Sequence, residues 1–247
     1  MTTKLKFGLP VHWEGMDQFD CRDVYTFWDD FLDSSMSVLA EIGRWKSTVS
    51  GGTTVPAIID GTDASQELAG GIVTCAVGKT ASDTSGLMVN GESCQIAAGH
   101  ELYFEARFTM THIDVSCFVG LSDSDVSAIA ALGNGIGFLT VAAVMSTSVA
   151  KSSAKIDTVN GITVAALTWY RVAFHYDGGT AITFYLAEGD EELHEVNQLH
   201  LTTTADYIPD DIMLTPTIEA EQQGGSTGGS LYVDYILCQQ ARQRVAD

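Results

Sequence analysis

Residues 101–110 read ELYFEARFTM, and the alternation within them decides the fold. Leu102, Phe104, Ala106, Phe108 and Met110 fall on one side of an extended chain, with Tyr103, Glu105, Arg107 and Thr109 on the other. A period of two is the mark of a β-strand with one face in a core. The pattern recurs outward from this stretch. WYRVAFHYDGG sets Tyr170, Val172, Phe174 and Tyr176 together before an Asp-Gly-Gly turn, and ITFYLAEGD resumes with Ile182, Phe184 and Leu186, which predicts a hairpin. GGIVTCAVG, VSCFVGL, GIGFLTVAA, MLTPTIEAEQ and GSLYVDYILCQ are further strand candidates, separated by turn-rich segments such as EQQGGSTGGS. No unit of about 20–50 residues repeats, so many medium-length strands imply two packed antiparallel sheets rather than a propeller or solenoid.

Composition supports one all-β domain. In 247 residues, 45% are hydrophobic, only 18% are charged and 24 are glycine, a balance that suits short strands and tight turns. Two segments depart from strand periodicity. Ser35 to Gly43 carries Met36, Leu39 and Ala40 at helical spacing and ends at glycine, which predicts one short helix. Residues 1–22 hold Gly8 and Pro10 with little periodicity and predict an extended N-terminal arm, leaving 23–247 as a single sandwich domain.

Twelve basic residues against 32 acidic ones give a formal charge of −20, which repels phosphate backbones and anionic membrane surfaces and argues against nucleic-acid binding. No apolar run approaches the length of a membrane span, and MTTKLKFGLPVHWEGMDQ lacks the apolar core and cleavage site of a secretory signal, so the start reads as unprocessed. Cys21, Cys75, Cys94, Cys117 and Cys238 are odd in number and never spaced C-x-x-C, which points to free thiols in a reducing cytosol rather than to a disulfide framework or a zinc knuckle. Cys75, Cys117 and Cys238 alternate with Val73 and Val77, Val115 and Val119, and Ile236, so they are expected in the core. The histidines show no metal-ligand spacing, and no G-x-S-x-G elbow or phosphate-cradling glycine motif is present.

Four stretches in order then resemble a known family. FWDDFLDSSMSVLAEIGRW is similar to the opening strand, acidic-aromatic turn and following tryptophan of family 16 glycoside hydrolases, and LYFEARFTM to their central G-x-F-E-x-R strand. LTWYRVAFHYDGGTAITFYLAEG looks like the tryptophan-led hairpin shared with laminin G-like domains, and LYVDYILCQQ like the closing V-D-Y-V strand. The resemblance covers most of residues 25–240 and implies a concanavalin A-like lectin/glucanase jelly roll.

That family also implies two carboxyl groups, a nucleophile and an acid/base about 5–5.5 Å apart, mounted on the strand after FVGL as E-x-D-x-x-E or similar. Here that strand reads GIGFLTVAAV, and no acid occurs between Asp125 and Asp157. The catalytic pair is missing and the chain is expected not to be an enzyme, although Glu219 and Glu221 in TIEAEQQ share a strand face, as do Asp123 and Asp125 in SDSD. Alternation on an acidic chain produces such pairs readily, so a solvated face or a turn is the plainer reading, with a divergent glycoside hydrolase as the alternative. The resemblance also implies a structural calcium tying the first strand to the last, which would fall at Asp30 and Asp234. The plainer reading has these two in a turn and a cross-strand hydrogen bond, because calcium needs six or more oxygens.

An unsigned, acidic sandwich with a loose arm and no chemistry resembles the structural proteins of tailed phages. The resemblance implies a capsid decoration or cement protein bound to the major capsid protein on the capsid exterior of the virion, made in the host cytoplasm and forming a homotrimer. Phe7, Pro10 and Trp13 in the arm are the expected partner contacts, since an extended segment can order on a partner through aromatic burial. The alternative is a lectin-like head- or tail-fibre component whose Tyr103, Trp169 and Tyr185 stack on a glycan.

Overall fold

The computed structural model describes residues 4–6, 9–11, 24–31, 45–51, 55–59, 71–91, 93–123, 129, 132–200, 205–224 and 227–241. Within these lie seventeen strands: β1 (Lys4–Lys6), β2 (Leu9–Val11), β3 (Val24–Asp29), β4 (Trp45–Ser50), β5 (Ala57–Ile59), β6 (Ile72–Val77), β7 (Thr84–Val89), β8 (Leu102–Met110), β9 (Val115–Ser122), β10 (Gly135–Val141), β11 (Val144–Lys151), β12 (Ala154–Thr163), β13 (Tyr170–Tyr176), β14 (Ala181–Glu188), β15 (His194–His200), β16 (Thr215–Gln222) and β17 (Gly229–Ala241). Apart from these there is a 3-10 turn at Ala205–Tyr207 and a helical residue at Ile129.

Fifteen of these strands form two antiparallel sheets. One has seven strands in the order β12-β11-β10-β9-β16-β7-β4. The other runs β15-β14-β13-β8-β17-β6-β5, and β3 joins it as an eighth strand beside the C-terminal half of β17. Every pairing is antiparallel, as a jelly-roll sandwich requires, and strands distant in sequence lie side by side, as with β8 and β17 or β9 and β16.

The inner faces meet over one core. Phe104, Phe108, Phe174 and Phe184 come from the eight-stranded sheet, and Val119, Ile136, Phe138 and Ile218 from the seven-stranded sheet. Phe104 and Phe174 stack at 5.2 Å, and Phe138 meets Phe184 edge-on at 5.6 Å, so aromatic contact joins the two layers. The expected alternation in β8 holds, and its five apolar residues all belong to this core.

The opening strand is tied in by one acid and one indole. Trp45 Nε1 donates to Asp29 Oδ2 at 2.7 Å, and the backbone N–H of Phe31 donates to Asp29 Oδ1 at 2.8 Å. The Trp45 ring meets Phe27 edge-on at 5.5 Å, which joins β3 of one sheet to β4 of the other.

Within the expected arm, β1 and β2 pair with each other, Pro10 opposite Leu5, and neither belongs to the two large sheets. Phe7, Trp13 and the helix predicted over Ser35 to Gly43 lie outside the described residues.

Candidate functional site

The strand on which the resemblance would place catalytic acids is β10, paired between β9 and β11. Ile136 and Phe138 enter the core, so Gly135, Gly137, Leu139 and Val141 face outward, and none carries a carboxylate. Gly137 lies opposite Gly120 of β9. A β-carbon on Gly120 would sit 2.3 Å from the Ile136 carbonyl oxygen and 2.6 Å from the Gly137 Cα, so close approach of the two backbones requires glycine there. The outer face is also filled: Ile129 and Leu132, from the connection between β9 and β10, cluster with Phe118, Leu139 and Ala150. Where a hydrolase needs acids over an open groove, this chain has glycines beside an apolar cluster.

The paired glutamates lie two strands away. β16 is lined up along β9, with Glu219 opposite Phe118, Glu221 opposite Ser116 and Thr217 opposite Gly120. Glu219 and Glu221 share the outward face, as alternation predicts, but they are not the solvated pair expected, being only 4% and 7% exposed. Spacing of two along a strand sets their backbones roughly 6.5–7 Å apart. Burial pushes the Glu221 carboxyl above its usual range, against a hydrogen bond from Gln223 Nε2 to Oε1 at 3.2 Å. Its Oε2 and the Ser116 hydroxyl opposite are buried without partners. Asp123 takes a hydrogen bond from Asn134 Nδ2 at 2.8 Å, a turn role consistent with the plainer reading, while Asp125 lies outside the described residues.

The outer face of the eight-stranded sheet holds the second group of candidates. Tyr103 is not the solvent-facing platform expected: it is 1% exposed, and its hydroxyl donates to Glu105 Oε2. Tyr235 of β17 donates to Glu105 Oε1 at 2.5 Å, so both oxygens of a fully buried carboxylate are satisfied by phenols. Tyr103, Ala173 and Leu237 form a small outer cluster against which Tyr185 and Trp28 pack half-buried. Trp169 is half-buried too, with the Arg107 guanidinium over its ring at 4.8 Å. Tyr103 and Tyr185 are thus brought together, Trp169 belongs to the neighbouring arginine, and the three do not form one exposed surface. β8 differs from its sequence reading in having both faces covered. The polar face closes over itself because Glu105 finds one donor two residues earlier on its own strand and a second on the adjacent β17.

The Asp30 and Asp234 pair does not fit calcium. Asp234 sits at the irregularity between Val233 and Tyr235, near the end of β3 in register, but its carboxylate accepts from Arg107 Nη1 at 2.7 Å. A dication would have to displace a guanidinium. Among the described residues no group of three or more His, Cys, Asp or Glu is placed to hold a metal. The structural acid of the opening strand is Asp29, one residue earlier, and the signal for it was the tryptophan that follows the acidic turn.

One end of the sandwich leaves several apolar side chains exposed. β8 finishes and β9 begins at one end of the sandwich, where β4, β10 and β12 also finish and β5, β11 and β13 begin. Val49, Val55, Ile113, Val141, Val144 and Leu167 all lie at that end, and among the described residues these, with Val159 on the edge strand β12, are the large apolar side chains left exposed. Leu167 is 54% exposed although its backbone sits at φ 61°, in the left-handed region that a branched side chain disfavours, anchored by its N–H to Met110 O at 2.7 Å.

No family model matches the sequence, and no curated protein matches it. Solved structures do. A protein of unknown function from Shewanella oneidensis MR-1 is 14% identical over 90% of each chain, with a TM-score of 0.62. An endo-1,3-beta-glucanase from Streptomyces sioyaensis is 12% identical over 90% of this chain and 98% of its own, with a TM-score of 0.59. Peanut lectin is 10% identical over 90% of this chain and 99% of its own, with a TM-score of 0.58. At such identities the likeness defines the fold, which is the concanavalin A-like jelly roll shared by lectins and family 16 glucanases.

Proposed function

We propose that the chain is a non-catalytic attachment protein of a tailed-phage virion, a decoration protein that binds the major capsid protein on the capsid exterior as a homotrimer. The observation that carries the non-catalytic half is the outward face of β10, which offers Gly135, Gly137, Leu139 and Val141 where a glycosidase needs acids, with Ile129 and Leu132 packed beside it. The attachment half is supported by the apolar side chains left exposed at one end of the sandwich, since exposed apolar surface is what an interaction site offers. Several such contacts, repeated by symmetry, add through effective concentration. The arm with Phe7, Pro10 and Trp13 would supply further anchoring.

Mixing the purified protein with undecorated shells and pelleting them tests the reading. Wild-type chain should co-sediment, and Val144→Asp with Leu167→Asp should abolish this while leaving the melting temperature unchanged. Folded wild-type protein left in the supernatant contradicts the reading. So does glycan-array binding that Trp169→Ala abolishes without unfolding, which would favour the lectin-like alternative.

A further inference from the structure

Two free thiols meet in the core between the sheets. Cys94 and Cys238 bring their Sγ atoms to 2.8 Å inside the core, and both residues are fully buried. That is closer than the roughly 3.5–4.0 Å at which even two unbonded carbon atoms settle, and approaches the bond length of about 2.05 Å. Each backbone is fixed independently. Cys94 exchanges hydrogen bonds with Leu214, its N–H donating to Leu214 O at 2.9 Å and its O accepting from Leu214 N–H at 2.7 Å, which sets it beside the start of β16. Cys238 sits within β17, between Phe104 of β8 and Phe27 of β3. The next residue, Gln95, is held to the same strand, its N–H donating to Gln240 Oε1 at 3.2 Å and its O accepting from Gln240 Nε2.

We infer that Cys94 and Cys238 form an intramolecular disulfide that staples the segment bridged to the start of β16 onto β17 of the eight-stranded sheet. This inference is independent of the proposed attachment role. It departs from the reading of five free thiols, which rested on spacing: 144 positions separate the two residues, and only the fold brings them together. Burial, and then the neighbouring Cys94 thiol, push the Cys238 thiol well above its ordinary value, so the pair is inert while packed, and the bond forms as the chain folds. The oxidant is a low-molecular-weight disulfide such as oxidised glutathione. One cysteine thiolate attacks it, forming a mixed disulfide and releasing one small thiol. The second cysteine thiolate attacks the protein sulfur of the mixed disulfide and releases the other. One S–S bond breaks and one forms, and the two protons leave on the two small thiols. Cys75 and Cys117 are also buried, and burial first of all raises both thiol values, Cys117 to about 12.

Full-length protein refolded with a mixture of oxidised and reduced glutathione, then denatured and alkylated with iodoacetamide, tests the assignment. Without reductant, three of the five cysteines should be modified, five less the joined pair, and all five after reduction. The unalkylated intact mass should be about 2 Da below that of the reduced chain. Non-reducing peptide mapping should recover Cys94 and Cys238 in one linked species. The oxidised protein should melt at a higher temperature than the reduced one, and Cys94→Ala or Cys238→Ala should remove that difference. Alkylation of all five thiols in the oxidised sample, or a linked species that contains Cys21, Cys75 or Cys117, overturns the assignment. These readings come from the wild-type chain and stand even if the alanine variants fail to fold.

Discussion

Replacing Tyr235 by phenylalanine removes a 2.5 Å hydrogen bond to a carboxylate with no exposure to solvent. A bond of this kind contributes about 1.5–3 kcal/mol, so the variant should lose that much at neutral pH, and Tyr103→Phe, which breaks the bond to the other oxygen, should lose a similar amount. The pH dependence makes the test specific. Burial, and then the adjacent Glu105, push both phenols well above the ordinary tyrosine value of 10.0. Unfolded chains ionise these groups as the pH passes that value, while the folded chain keeps them protonated. The unfolded state then binds fewer protons than the native state, so the stabilisation is complete below about pH 10 and is lost as the pH climbs above it. Each phenol contributes a slope of about 1.4 kcal/mol per pH unit, and the pair about 2.7. Urea denaturation from about pH 8 to about pH 11 should show the wild type losing stability faster than either variant, so that the gap between them narrows in alkali. A gap that stays constant across this range, or tyrosinate absorbance showing that both phenols ionise near pH 10 in the folded protein, would refute the buried Tyr103–Glu105–Tyr235 arrangement.

Other perturbations probe other parts of the account. Trp45→Phe deletes the 2.7 Å bond to Asp29 that helps join β3 to β4 and should lower stability by about 1.5–3 kcal/mol, read from the urea midpoint. Gly120→Ala places a methyl group against Ile136 O and Gly137 Cα and should cost about 1–3 kcal/mol in thermal or chemical melts, with no change in any binding at the far surface. Glu221→Gln should stabilise at neutral pH and do nothing below about pH 4: the raised carboxyl value means that the neutral form is favoured on folding, and that contribution is present below the ordinary 4.5 and lost as the pH rises. The wild type and Glu219→Gln with Glu221→Gln should alike release no reducing ends from β-glucans, and hydrolysis by the wild type that the double variant abolishes would restore a catalytic reading.

The sequence exposed the strands in which apolar and polar side chains alternate. ELYFEARFTM, the Tyr170–Leu186 hairpin and LYVDYILCQQ became β8, β13, β14 and β17, which form the centre of the eight-stranded sheet. The strands it did not expose lie mostly at edges or between glycine-free turns. β12 and β15 are largely exposed, carry Lys155, Asp157, His194 and Glu195, and set only a few partly buried residues such as Ile162, Val196 and Leu199 against the core, too few for a regular alternation to read. The β10–β11 and β11–β12 hairpins turn at Ala142-Ala143 and Ser152-Ser153, all four residues at positive φ, where Asn-Gly or Asp-Gly would have announced the turn. The site followed the same division. The missing acids of β10 were visible as a plain absence of Asp and Glu, and the shared face of Glu219 and Glu221 followed from alternation. Their burial, the closure of Glu105 between two tyrosines and the meeting of Cys94 with Cys238 arise only when strands distant in sequence become neighbours.

Electron microscopy of phage shells mixed with this chain tests the proposed attachment most directly. The account predicts threefold density on the outer surface of the shell, with the turns that bear Ile113, Val144 and Leu167 against the capsid protein and the glycine-lined face of β10 free of any sugar. Density confined to a tail tip, or an oligosaccharide lying over Glu219 and Glu221, would contradict it.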